Sequence, residues 1–146
     1  MKTTTPKFMA LSFTVLLALA GLAPAASAAD PAAAEVYIIT PADGETVPPT
    51  FTVRFGLKGM GVAPAGVDKE GTGHHHLLID VDELPPLDRP LPMTDNVRHF
   101  GGGQTETEVT LPPGEHTLQL LLANAAHIPH DPPVLSEKIT ITVAGE

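Results

Sequence analysis

Residues 104–124 read QTETEVTLPPGEHTLQLLLAN: a short alternating run, a Pro-Pro-Gly break, then a second and longer run. Gln104–Leu111 is rich in Thr and Val, and Glu115–Asn124 is rich in Thr and Leu. Neither offers the three-to-four spacing of a helix face. Two such runs joined by Pro112-Pro113-Gly114 predict adjacent strands around a tight turn. The pattern extends in both directions. Glu35–Thr40 (EVYIIT) reads as a strand stopped by Pro41-Ala42-Asp43-Gly44. Thr50–Leu57 (TFTVRFGL) alternates, with Phe51, Val53 and Phe55 on one face and Thr50, Thr52 and Arg54 on the other. His75–Asp82 (HHLLIDVD) is a strand ended by Pro-rich residues 84–95, and Asn96–Phe100 is a short one ended by Gly101–Gly103. Val134–Val143 (VLSEKITITV) closes the series. About seven short strands with no helical segment between them predict an all-β, immunoglobulin-like antiparallel β-sandwich. Alternation assigns Val53, Phe55, Leu77, Ile79, Val81, Leu118, Leu120, Leu122, Ile139 and Ile141 to its core.

The chain has 146 residues. Residues 1–28 read as a cleaved signal peptide: Lys2 and Lys7, an apolar run over Phe8–Leu22, and Ala26-Ser27-Ala28 as cleavage site. That run is short for a membrane span of about 20 residues. Residues 29–34 form a flexible lead, and 35–146 the sandwich domain. The formal charge is −9; the signal carries two Lys and no acid, which leaves six basic against 17 acidic side chains, −11 with His neutral. Such a balance argues against nucleic acid and anionic membrane surfaces and can draw cations. There is no Cys, so a thiolate metal site and a disulfide are both excluded. No second apolar segment is long enough to span a bilayer. The expected location is outside the cytoplasm, in a bacterial periplasm.

Histidine carries the functional signal. Six of the seven fall in three groups: His74, His75 and His76; His99; His127 and His130. With strands at 35–40, 50–57, 75–82, 96–100, 104–111, 115–124 and 134–143, the second, fourth and sixth connections share one end of the sandwich. His74–His76 enter the third strand there, His99 sits at the turn before the glycines, and His127 and His130 ride the sixth connection. His116 belongs at the opposite end. Within the triplet, His75 shares the apolar face with Leu77 and Ile79, while His74 and His76 share the other. Two residues apart on a strand, they lie about 6.5–7 Å apart at Cα, from where imidazoles converge on one ion. The expected metal ligands are therefore His74, His76, His99, His127 and His130. His75, Asp131, Glu70 and Met60 are weaker or supporting candidates. Thiolate-free imidazole sites suit copper first and zinc second.

The opening PADGETV and the closing GEHTLQLLLAN…SEKITITV resemble the first and last strands of many bacterial immunoglobulin-like domains. GTGHHHLLID, HFGGGQTET and HIPHDPP, within residues 57–143, resemble a family of secreted bacterial immunoglobulin-like domains of unassigned function. That resemblance implies the fold and names no chemistry.

Alternatives stay open on the residues alone. Any one of these histidines is also readable as a polar strand start or a loop residue bonded to backbone. The same three loops serve protein or glycan recognition in a module without metal, though Tyr37 and five Phe with no Trp are few aromatics for it. A third reading is a structural domain whose clustered imidazoles charge below about pH 6.5. Enzymatic activity is the less favoured reading: Ser136 has no hydrolytic partners in view, and Gly101–Gly103 lacks the helix and Lys of a phosphate cradle.

Overall fold

The structure is a computed structural model and describes residues 34–145; the expected signal peptide and nearly all of the lead lie outside the described residues. Nine strands form: β1 (Glu35–Thr40), β2 (Thr46–Val47), β3 (Thr50–Lys58), β4 (Gly61–Val62), β5 (Thr72–Ile79), β6 (Val97–His99), β7 (Glu106–Thr110), β8 (Gly114–Ala123) and β9 (Ile139–Val143). One sheet has the order β1-β3-β7 and the other β2-β9-β8-β5-β4, with β6 also paired to β5. The fold is an all-β sandwich, with nine strands in place of about seven; the additional two, β2 and β4, are two residues each.

Alternation builds the core as expected. Along β3 Phe51, Val53 and Phe55 are buried while Thr50, Thr52 and Arg54 are exposed. They meet Leu77 and Ile79 of β5, Leu118, Leu120 and Leu122 of β8, and Ile141 and Val143 of β9. The exposed face of β3 pairs across to β7 through a Thr50–Thr110 hydroxyl contact (3.0 Å) and an Arg54–Glu106 ion pair (3.0 Å). Solvated pairs of this kind contribute little, each well under about 1 kcal/mol.

Three expectations need correction. First, β5 is buried on both faces. Leu78 packs outward with Leu121 and Ala123 of β8, Val97 of β6 and Leu91 of the Pro-rich connection, a second small core with Leu87, Val81 and Leu135 at its edge. Second, β5 stops at Ile79 instead of Asp82. Asp80 takes φ 53°, in the left-handed region, and its carboxylate accepts from the Thr117 amide (2.9 Å). The pleat is broken there, so Val81 leaves the main core for the outer one. Third, residues 134–138 run beside β8 without entering a strand: Leu135 bridges Leu121, and the Ser136 hydroxyl accepts from the Leu120 amide (2.8 Å). Ile139 is accordingly only partly buried.

The bend at Asp80 also engages His116. Its Nδ1 donates to Asp80 Oδ2 at 2.7 Å and its Nε2 to the Pro112 carbonyl at 2.9 Å. Both partners are acceptors, so both ring nitrogens carry hydrogen and the ring is an imidazolium. Burial opposes that charge, but the Asp80 carboxylate and the Pro112 carbonyl outweigh it and raise the pKa above the usual 6.5. A raised folded-state pKa gives stability that is full below about pH 6.5 and lost as pH rises through the folded value. His116→Ala is therefore expected to cost about 1 kcal/mol at pH 5.5, after allowance for the half-exposed Asp80. The cost should shrink by pH 9; urea unfolding at the two pH values measures it.

Candidate metal centre

The site grows from the register of β5. His75 points inward, where its ring lies 5.1 Å from that of Phe55. His74 and His76 point outward with Leu78. On one side, β5 pairs with β8 so that His74 lies opposite Ala123. On the other, it pairs with β6 so that His76 lies directly opposite His99. Paired residues on neighbouring strands project from the same face, and three imidazoles thus share one corner of the sheet. His99 is the last residue of β6 in the same sheet, within the short strand expected over 96–100 and just before the glycines.

The fourth imidazole comes from the loop after β8. Asn124 organises it: its side-chain oxygen accepts from the amides of Ala126 (2.9 Å) and Ile128 (3.1 Å), and its carbonyl accepts from the His127 amide (2.9 Å). The His127 carbonyl accepts from the Leu91 amide (2.9 Å), tying the loop to the Pro-rich connection. His127 has φ 64°, a left-handed conformation that costs a non-glycine residue energy. The result is that its ring turns back over the other three. His127→Gly should relieve the strain, raising the melting temperature of the metal-free protein by a few degrees while removing a ligand; calorimetry with and without metal separates the two effects.

His74, His76, His99 and His127 each offer a nitrogen, and these four atoms lie within 4.8 Å of one another. Ring centroids of the first three stand 4.9, 5.0 and 5.2 Å apart, close to an equilateral triangle. The His127 ring lies 5.1, 6.2 and 4.5 Å from them and is steep to all three, at 84°, 85° and 83°. Five of the six separations are therefore alike, the pattern of a tetrahedron. A square would show two diagonals clear of four equal sides.

Electrostatics keeps the lone pairs free. His74 and His76 are fully buried, at 0% and 1% exposure. Burial first, then the neighbouring imidazoles, pushes His76 down to about 3 and His74 down to about 4. His99 is lowered by burial and by His127. At neutral pH these three are neutral, the form that binds metal. His74 Nε2 and His127 Nδ1 share one hydrogen bond of 3.1 Å. His74 Nδ1, His76 Nδ1 and His99 Nε2 are buried with no hydrogen-bond partner. Buried polar groups are normally satisfied, and several orphans in one cluster mark a place for a ligand.

The other expected residues lie elsewhere. His130 is outside the group. Pro129 bridges back to Ala123, which turns His130 toward Gly73, where a Cβ would come within 2.9 Å of its Nε2. His130, Met60 and Glu70 line a cleft of about 240 Å³, and Asp131 lines a second one with His130 and Asp88. His75 faces the main core, and His116 sits at the far end of β8, as expected.

Gly101 escaped the sequence reading as part of the site. A Cβ on it would fall on the His99 ring, 2.5 Å from Nε2. Only glycine lets that ring lie where it does. Gly101→Ala is expected to displace His99 and weaken metal binding about 10–100-fold, the usual effect of losing a ligand's support. Equilibrium titration beside a thermal melt of the metal-free protein distinguishes this from misfolding.

Comparison with known proteins adds little chemistry. No match is found among curated proteins. An endo-β-1,4-mannanase from Thermotoga petrophila is similar over 77% of this chain at 19% identity, with a TM-score of 0.47. The matched part is 20% of that enzyme, so this chain spans about a fifth of its length, and a likeness at that level carries no argument about activity. Residues 53–144 match the model of DUF4399, a domain of unknown function, and the chain belongs to that family.

Proposed function

We propose that this protein is a secreted metal-binding protein that holds one ion between His74, His76, His99 and His127, with copper the first candidate and zinc the second. Its role is binding for delivery or sequestration. The observation that carries the reading is the convergence itself. Four imidazole nitrogens lie within 4.8 Å of one another, and His74 Nδ1, His76 Nδ1 and His99 Nε2 are buried with no partner. Secretion rests on the signal-like segment at residues 1–28. Four protein donors fill a tetrahedral ion, whereas catalytic sites keep a position open with three. This favours holding over turnover. The recognition-module alternative draws no support from the surface: the large exposed hydrophobics among the described residues are Ile39, Val62, Val67, Leu84 and Met93, none of them aromatic.

The test is elemental analysis of untagged mature protein, then calorimetric titration of the metal-free form with Cu(II) and Zn(II) at pH 7.5. Tight one-to-one binding is expected. Binding of both no tighter than millimolar, together with no tighter binding of Cu(I), would remove the metal reading.

A further inference from the structure

We propose that the four-histidine centre is built for copper in its cuprous state and holds bound copper at a raised reduction potential. The inference rests on the metal-binding reading above and adds the ion's charge and oxidation state. Two independent features carry it.

The first is shape. His74, His76 and His99 form the triangular base and His127 the apex, with centroid separations of 4.5–5.2 Å for five of the six pairs. Cu(II) takes tetragonal or square-planar nitrogen sites. Cu(I) has a filled d shell, as Zn(II) has, and accepts a tetrahedron without penalty. Flattening this base is costly, because His76 and His99 are held opposite each other by the β5–β6 ladder and His74 is held by β8. The fourth donor is held too, by Asn124 and by the Leu91 amide.

The second is charge. All four donors are neutral imidazoles, and no carboxylate belongs to the group. Glu70 and Asp131 line clefts that exclude the four. His74 and His76 are buried and His99 and His127 half-buried, so an ion here keeps its whole charge in a partly desolvated site, where the cost of burying charge climbs steeply with its size. A monovalent ion is favoured over a divalent one of the same geometry. This separates Cu(I) from zinc, which the shape alone does not. Imidazole is a borderline donor, so the preference comes from shape and charge and owes nothing to thiolate-like softness.

The probes are Cu(I), added anaerobically in competition with bicinchoninate, and Cu(II) and Zn(II), each titrated into metal-free wild-type protein. Cu(I) should bind at least 1,000-fold more tightly than Cu(II). For a one-electron couple that raises the potential by about 180 mV over aqueous copper, at 59 mV per tenfold. Redox titration of the copper-loaded protein reads it directly. Zn(II) should also bind less tightly than Cu(I). His127→Asp places a carboxylate at the apex on a backbone conformation Asp tolerates. It should narrow the Cu(I)/Cu(II) ratio at least tenfold. Tight Cu(II) or Zn(II) binding with weaker Cu(I), or a potential at or below the aqueous value, overturns the cuprous assignment and leaves the metal reading standing. If none of the three ions binds tighter than millimolar, both fall together.

Discussion

Replacing His76 with alanine should weaken metal binding by at least 100-fold, while His116→Ala leaves it near the wild-type value. His76 is the member with most at stake. It is 1% exposed, it opposes His99 across the β5–β6 ladder, and its Nδ1 has no partner. Its removal leaves a triangle's corner empty and three donors that cannot close around the ion, because the strands of His74 and His99 and the loop of His127 are already fixed by their hydrogen bonds. Loss of a ligand exceeds the 10–100-fold effect of disturbing a ligand's support. His127→Ala should behave similarly, because the apex has no substitute: His130, three residues on, faces Gly73. Competition titration with a chromophoric chelator measures all three variants, with circular dichroism to show that each remains folded.

Acid should unfold the metal-free protein in a window set by the same histidines. In the folded state His76 titrates near 3 and His74 near 4, whereas an unfolded chain takes up those protons near 6.5. Between these values the unfolded state binds more protons, so stability rises with pH and falls on acidification. It is fully present above about pH 6.5 and is lost as pH drops toward the folded values. At pH 5 His76 alone costs on the order of 2 kcal/mol. Small domains are stable by only about 5–15 kcal/mol. The metal-free protein should therefore melt many degrees lower at pH 5 than at pH 7.5. Zinc at 100 times its dissociation constant should add about 2.7 kcal/mol at pH 7.5. It should add little at pH 5, where protons take the same lone pairs. Thermal melts at both pH values, with and without zinc, test the four cases. A melting temperature flat between pH 7.5 and 5 without metal would mean that the cluster is not held neutral.

Much of this was legible in the chain itself. Alternation in TFTVRFGL placed Phe51, Val53 and Phe55 inward, and the same period split the triplet into an inward His75 and outward His74 and His76. The chain turns put His127 beside the start of β5 and His116 at the other end. What escaped was what has no period. The outer cover of β5 comes from Leu87 and Leu91 in a Pro-rich connection, where no regular spacing announces burial. His99 was readable as part of a short strand over 96–100, but the role of the glycines after it was not. In the fold His99 is the last residue of β6, and Gly101 bends back onto its ring. His127 and His130 look equivalent in HIPHDPP. Backbone conformation separates them: φ 64° at His127 and the Ala123–Pro129 bridge send the two rings to different places. Asn124, just past the strand, was the visible sign of a tight loop there, since Asn side chains cap such turns.

Metal binding here requires four particular rings to act together, and nitrogen-15 NMR of the histidine side chains tests that most directly. One equivalent of Zn(II) added to metal-free protein at pH 7.5 should shift one ring nitrogen in each of His74, His76, His99 and His127. The rings of His75, His116 and His130 should stay close to their metal-free positions. Shifts confined to the His130 ring, or none at all after one equivalent, would contradict it.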